Sequence, residues 1–303
     1  MTNEPRFGSD DSIPNVYADD DDDSDAATLG GGAAVRNLHL EREAIRDEPT
    51  GRHALFELLA GARTDPGTKR PNNEDSMLVL EDEHLFVVAD GMGGHAGGEI
   101  ASQLAVDAMA TTFLEKTPTS CVVANLPVRA LELVQSFAAA NEAIRSVASK
   151  NAHLTNMGTT VVAARFCPNK GRAYIGHVGD SRCYRLRGNK LEQMTKDHTL
   201  AEYGVGGREG DRLTRAVGVN GIVETDLVVV QPHEGDVFLL CSDGLNKSVT
   251  DEVIQDVLDS EPDPDRAAEE LIARACAAFA RDNVTAIVVR IGGGATPPTR
   301  PTA

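Results

Sequence analysis

Leu85-Phe86-Val87-Val88-Ala89-Asp90-Gly91-Met92-Gly93-Gly94-His95-Ala96-Gly97-Gly98 is the stretch on which the reading of the fold turns. Its apolar run, residues 85–89, is too short for a helix and right for a buried strand, and it ends in a carboxylate followed by a glycine-rich loop. Such a loop turns sharply and lets the backbone approach a ligand before a helix begins. The same order, an apolar run and then an aspartate, recurs at Ser242-Asp243-Gly244 and at Gly179-Asp180-Ser181-Arg182, while Asp282-Asn283 precedes the run 284–291. A further acidic station, Arg70-Pro71-Asn72-Asn73-Glu74-Asp75, lies upstream. Folding would carry these carboxylates to the ends of buried strands, where unpaired like charges are costly unless cations hold them. Carboxylate, carbonyl and water oxygens suit hard ions of the Mg²⁺ or Mn²⁺ type, so the pattern points to a metal site.

Each station alone has a plainer reading. A single strand-end aspartate is more often a turn or helix-cap residue than a ligand. A glycine loop can also cradle a nucleotide, but the spacing here fits neither G-x-G-x-x-G nor G-x-x-x-x-G-K-[S/T]. Recurrence shifts the balance towards a metal.

Composition bounds the rest. At 303 residues with 41% apolar side chains, the chain can bury one large core or two small ones. A formal net charge of -18 argues against nucleic acid or an anionic membrane as a partner. Cys121, Cys167, Cys183, Cys241 and Cys276 are odd in number and lack a C-x-x-C pair, so they read as small buried hydrophobes. The N-terminus lacks a basic segment followed by an apolar one, and no apolar run approaches the roughly 18 residues of a membrane span. A cytoplasmic monomer is the expectation.

Residues 1–50 hold 13 acidic against 4 basic residues and few large apolar ones. They are expected to form a disordered acidic tail, with a short helix near residues 37–46, and Ser12 and Ser24 are candidate phosphorylation sites there. Residues 292–303 read as a flexible C-terminal tail, leaving 51–291 as one domain. Within it, strands are expected at 85–89, 160–166, 172–178, 227–230, 236–241 and 285–291, and helices at 98–114, 128–150, 250–258 and 264–281. Strands group with strands and helices with helices, which favours an α+β fold of antiparallel sheets flanked by helices over strict βαβ alternation.

Read together, residues 55–291 resemble the metal-dependent protein phosphatases of the type 2C family, and in particular their bacterial branch. The resemblance rests, in order, on Arg70–Asp75 with Ser76, the stretch 89–98, Met157-Gly158-Thr159-Thr160, His177-Val178-Gly179-Asp180-Ser181-Arg182, Asp197-His198-Thr199, Leu213-Thr214-Arg215-Ala216-Val217-Gly218, Ser242-Asp243-Gly244-Leu245 and Asp282-Asn283-Val284-Thr285. It implies a central β-sandwich of two antiparallel sheets in α-β-β-α layers. It also implies a serine/threonine protein phosphatase that cleaves phosphomonoesters by attack of a metal-bridging hydroxide, with two Mn²⁺ or Mg²⁺ ions and a third, weaker one.

By the same resemblance Asp90 bridges the two ions, the Gly91 carbonyl binds one, and Asp243 and Asp282 bind the other. Glu74 and Asp75 act mainly through water, Asp180 belongs to the third ion, and Arg70 holds phosphate oxygens, a role that suits a planar guanidinium. Composition alone would make Arg70 a surface residue paired with Glu74. Many relatives have a histidine after the first Asp-Gly, proposed to protonate the leaving alcohol. This chain has Met92 there, which leaves His95 as a candidate acid. His198 is expected to be structural. The interval 200–212, where bacterial relatives carry a longer mobile flap, is short and glycine-rich, so an open cleft is expected. Substrates are expected to be phosphoproteins, a Ser/Thr kinase or that kinase's targets among them. The alternative is a catalytically inactive pseudophosphatase serving as a regulatory binding module, against which the presence of Asp90, Asp243 and Asp282 speaks.

Overall fold

The computed structural model describes residues 27–30, 32–41, 44, 53–93, 96–115 and 126–293. In chain order the elements are β1 (Ala27–Gly30), β2 (Ala33–Leu40), β3 (Phe56–Asp65), β4 (Asp75–Leu80), β5 (Leu85–Met92), α1 (Ala96–Leu114), α2 (Val128–Ala148), β6 (Gly158–Thr159), β7 (Val161–Cys167), β8 (Arg172–Val178) and β9 (Arg182–Arg187). They continue with β10 (Lys190–Gln193), β11 (Val223–Val230), β12 (Val237–Cys241), α3 (Asp243–Asn246), α4 (Asp251–Ser260), α5 (Pro264–Ala277) and β13 (Val284–Gly293).

The strands form two sheets. One runs β1-β2-β11-β8-β7-β5-β4, with β6 paired to β5, and the other runs β10-β9-β12-β13-β3. Apart from the parallel pair β2–β11, the described strands pair antiparallel. The apolar runs are continuous because both faces of the central strands are covered. In β12, Phe238 and Leu240 enter the core between the sheets, while Val237, Leu239 and Cys241 pack with Leu258 and Leu271 of α4 and α5. In β5, Phe86 and Val88 face the other sheet, while Leu85, Val87 and Ala89 meet Met109 of α1 and Phe137 of α2. A period of two with both sets apolar therefore yields four layers, helix-sheet-sheet-helix. Phe86 and Phe166 of the first sheet and Phe238 of the second stack edge to face at 5.8 and 5.2 Å, joining the sheets at their centre. No described helix is long and apolar enough to cross a membrane.

The described part of residues 1–50 differs from the expected disorder and helix: Ala33–Leu40 is a strand, hydrogen-bonded along β11. Ala33, Ala34 and Val35 are buried, Arg36 pairs with Glu224 at 2.8 Å, and the Asn37 amide donates to Asp226 Oδ2 at 2.8 Å. Glu41 then pairs with Arg185 at 2.8 Å. The cause is non-local. The segment has little apolar surface of its own, and the open edge of β11 supplies the ladder that orders it. The folded unit thus starts well before residue 51, while Ser12 and Ser24 lie outside the described residues. At the other end β13 continues to Gly293, and 294–303 lie outside the described residues.

Cys167, Cys183 and Cys241 are buried free thiols and Cys276 is partly buried, while Cys121 lies outside the described residues. The short interval after Thr199 is held at its base, with Leu200 N–H donating to Arg212 O at 3.0 Å and Ala201 N–H to Gly210 O at 2.9 Å. It forms a lobe closed at its base, with Tyr203 exposed.

Candidate metal centre

The aspartates meet at one edge of the sandwich because strand register leaves little alternative. In the β4–β5 pair Asp75 stands directly opposite Asp90. Two like charges in that position are unfavourable without compensation. Asp75 reaches across to the second sheet, where its Oδ2 accepts hydrogen bonds from Ser242 Oγ at 2.7 Å and Thr285 Oγ1 at 2.6 Å. It is therefore a buried strut between the sheets, tied to both residues through one carboxylate oxygen. The Asp90 carbonyl is fixed by Thr160 N–H at 2.9 Å and Thr159 Oγ1 at 2.8 Å.

Asp243 opens the single turn α3 at the end of β12, and Asp180 follows β8 after Gly179. The ammonium of Lys247, one turn beyond Asp243, pairs with Asp243 Oδ2 and lies 3.6 Å from Asp180 Oδ2. Asp282 stands just before β13, where its Oδ2 pairs with Arg70 Nη2 at 2.9 Å. Arg70 is about half exposed at this rim, and its partner is Asp282 where composition alone suggested Glu74.

Two glycines allow the segments to close on one another. A Cβ at Gly91 would lie 2.1 Å from the Gly98 carbonyl oxygen and 2.6 Å from that of Glu74. One at Gly244 would lie 1.9 Å from the Asn283 carbonyl oxygen. Backbone cannot yield at those distances, so the glycines are needed for close approach. Asn283, 3% exposed, ties the loops: its Oδ1 accepts Glu74 N–H at 2.8 Å, and its amide donates to Pro66 O at 3.0 Å and Asn72 O at 2.9 Å. Sequence reasoning gave no role to Asn283, Ser242, Thr285 or Lys247. For Lys247 a signal existed, its spacing of four from Asp243 within an expected turn.

Electrostatics test whether this edge suits cations. Burial and then the Asp243 charge raise Asp75 to about 7, against a favourable pull from Thr285 and Ser242. Burial followed by Asp243 also raises Asp180 to about 7. Asp90 is pushed well above the ordinary carboxylate range by burial and by Asp75, Asp243, Asp180 and Asp282. Asp75 Oδ1 and Asp243 Oδ1 are buried and accept no hydrogen bond from the described residues. Crowded carboxylates with orphaned oxygens, all hard ligands, fit Mn²⁺ or Mg²⁺.

A second cluster, His177, His198 and Asp226, also brings ligand-type atoms within 4.8 Å of one another. Apart from His177 Nδ1, its nitrogens and carboxylate oxygens are already engaged. His198 Nδ1 accepts Gly179 N–H at 3.0 Å, and its Nε2 faces Asp226 Oδ2 at 3.2 Å. Asp226 also pairs with Arg215 at 2.6 Å and accepts from Asn37. Its burial would raise its pKa, but hydrogen bonds from His198 and Arg215 dominate and hold it far below the usual range. His177 stacks on His198 at 4.5 Å, and burial lowers its pKa to about 4. This cluster fixes the backbone at Gly179, beside Asp180, and carries its own counter-charge in Arg215. His95 lies outside the described residues.

A face-to-face β-sandwich between helix layers, with hard oxygen ligands gathered at one edge, defines a metal-dependent hydrolase. The chain belongs to the protein phosphatase 2C family, whose profile matches residues 68–294. It is 36% identical over 243 residues to the serine/threonine phosphatase stp of Listeria welshimeri, covering 75% of this chain and 93% of that protein. Among solved structures it resembles PppA, described as a key regulatory component of T6SS in Pseudomonas aeruginosa, with 35% identity, a TM-score of 0.69 and coverage of 78% and 99%. The catalytic domain of the serine/threonine phosphatase PstP in complex with two manganese ions is 37% identical, with a TM-score of 0.68 and coverage of 78% and 99%. The chain is accordingly a metal-dependent serine/threonine protein phosphatase.

Proposed function

We propose that the aspartate edge is the catalytic centre, in which Asp90, the Gly91 carbonyl, Asp243 and Asp282 hold two Mn²⁺ or Mg²⁺ ions. The observation that carries this reading is the pair of orphaned carboxylate oxygens on Asp75 and Asp243, beside Asp90, whose proton is held abnormally tightly by burial and the neighbouring carboxylates. When bound, a pair of divalent ions supplies an activated water nucleophile at neutral pH and charge stabilisation at phosphorus. Asp75, anchored by Ser242 and Thr285, keeps the two sheets at the spacing the ligands need. Glu74, whose backbone N–H is held by Asn283, brings its carboxylate to the same mouth and acts through water.

Arg70 sits at the rim, where its guanidinium exchanges part of its pairing with Asp282 for phosphate oxygens when a substrate arrives. That exchange orients the phosphomonoester of a phosphoserine or phosphothreonine side chain. Met92, after Gly91, carries no transferable proton, and His95 is assigned as the candidate donor to the leaving hydroxyl. The chain's natural counterpart is a Ser/Thr kinase or that kinase's targets, in the cytoplasm, and the enzyme works as a monomer.

Hydrolysis of an aryl phosphate with Mn²⁺, with an EDTA control and Asp243→Asn, tests the centre. Activity that is absent with Mn²⁺, or that persists unchanged in EDTA or in the variant, sinks the two-metal reading. A panel of unrelated phosphothreonine peptides separates a broad phosphatase, with similar rates throughout, from one dedicated to a single partner.

A further inference from the structure

We propose that Lys247 is a tethered cation that stands between Asp180 and Asp243 in place of a divalent ion, so that this centre takes two ions and not three. The proposal rests on the two-metal reading above and deepens it. Asp180 arrives at the end of β8 in one sheet and Asp243 at the end of β12 in the other, and the Lys247 ammonium pairs with Asp243 Oδ2 and lies 3.6 Å from Asp180 Oδ2. Its position is set by the backbone. Lys247 N–H donates to Asp243 O at 2.9 Å, closing the turn that places the two side chains on one face.

The local charges agree with this role. Asp180 is 5% exposed, and the charges of Asp243, Asp197 and Asp90 act on it alongside that of Lys247. The two cations at this edge divide the aspartates, Arg70 taking Asp282 and Lys247 taking Asp180 and Asp243. Asp75 Oδ1 and Asp243 Oδ1 remain orphaned and are distinct from the oxygens that Lys247 covers, which leaves them for divalent ions. A divalent ion within a few ångströms of that ammonium would meet strong repulsion, whereas the lysine is held there by its own chain and needs no binding from solution.

The test counts bound Mn²⁺ per chain by native mass spectrometry and by the loss of the free Mn²⁺ signal in electron paramagnetic resonance. Wild-type protein and Lys247→Met, which keeps the apolar stem, are compared, together with Asp180→Asn in each background. The expected result is two ions for wild type and for Asp180→Asn, three for Lys247→Met with the third bound at least ~10-fold more tightly than in wild type, and two for the double variant. A wild-type chain that takes a third ion as tightly as Lys247→Met overturns the proposal, as does an Asp180→Asn variant that loses an ion relative to wild type. This second comparison holds even if Lys247→Met does not fold. Wild-type protein that binds no Mn²⁺ overturns instead the two-metal reading on which the proposal stands.

Discussion

The aspartate edge and the His177–His198–Asp226 cluster are neighbours in the fold and opposites in electrostatics. Both are buried groups of titratable side chains, and on spacing alone the histidine cluster is the neater metal site. It is balanced within itself: Arg215 neutralises Asp226, backbone groups take His177 Nε2 and His198 Nδ1, Asp226 takes His198 Nε2, and the Asp226 pKa is lowered, with His177 Nδ1 left over. The edge is incomplete. Its carboxylates repel, the proton affinities of Asp75, Asp90 and Asp180 rise, and two oxygens are left without donors. A site for an external cation is recognised by what the protein leaves unbalanced, more than by how closely ligand-type atoms approach.

The contrast can be broken in order of effect size. Asp90→Asn removes the central carboxylate of the edge and should lower phosphatase kcat by ~10³-fold or more, an effect of several kcal/mol that a steady-state assay at saturating Mn²⁺ reads directly. Asp226→Ala acts on the other cluster. It strands Arg215 and His198 and should cost about 3 kcal/mol of stability in urea denaturation, with Mn²⁺ still binding at the edge. Equal loss of metal binding in both variants would erase the distinction between the regions.

A smaller change separates positioning from ligation. Thr285→Val deletes one hydrogen bond to Asp75 and should weaken Mn²⁺ by about 10–100-fold at nearly unchanged kcat under saturating metal. A kcat loss as large as that of Asp90→Asn would instead make Thr285 part of the reacting centre. The smallest effect is in pH. Asp75 and Asp180, raised to about 7 from 3.8, bind protons more tightly in the folded state than in the unfolded one. Their contribution is fully present below the unfolded value and is lost as pH rises through about 7. The melting temperature of metal-free protein should therefore fall between about pH 5 and pH 8, and Mn²⁺, which holds the carboxylates ionised, should flatten or reverse the trend. A flat profile in EDTA would show that the edge is not strained in the way described.

Much of this was legible in the chain. The continuous apolar runs at 85–89, 172–178 and 236–241 belong to strands covered on both faces, and the helices expected at 98–114 and 128–150 correspond to α1 and α2. Strands β3, β9 and β10 were not legible. Glu57, Arg63, Arg182, Arg185 and Arg187 interrupt their apolar pattern, and they are strands because the second sheet pairs them and because carboxylates such as Asp197, Glu192 and Asp236 meet their arginines. The N-terminal strand β2 was misread for the same reason, since its partner edge lies near residue 225.

By itself, the sequence determined which carboxylates stand at the ends of buried strands. Carboxylates at the ends of buried strands are a local pattern, and hydrophobic alternation places them at a sheet end whatever else the chain does. Only tertiary structure decided how their charges are shared. Asp75 became a strut because Ser242 and Thr285 lie across the sandwich, Asp226 was neutralised by Arg215 and Asn37, and Lys247 was set between Asp180 and Asp243. Burial and Coulomb energies depend on distances between segments far apart in the chain, and those distances exist only once the two sheets have packed.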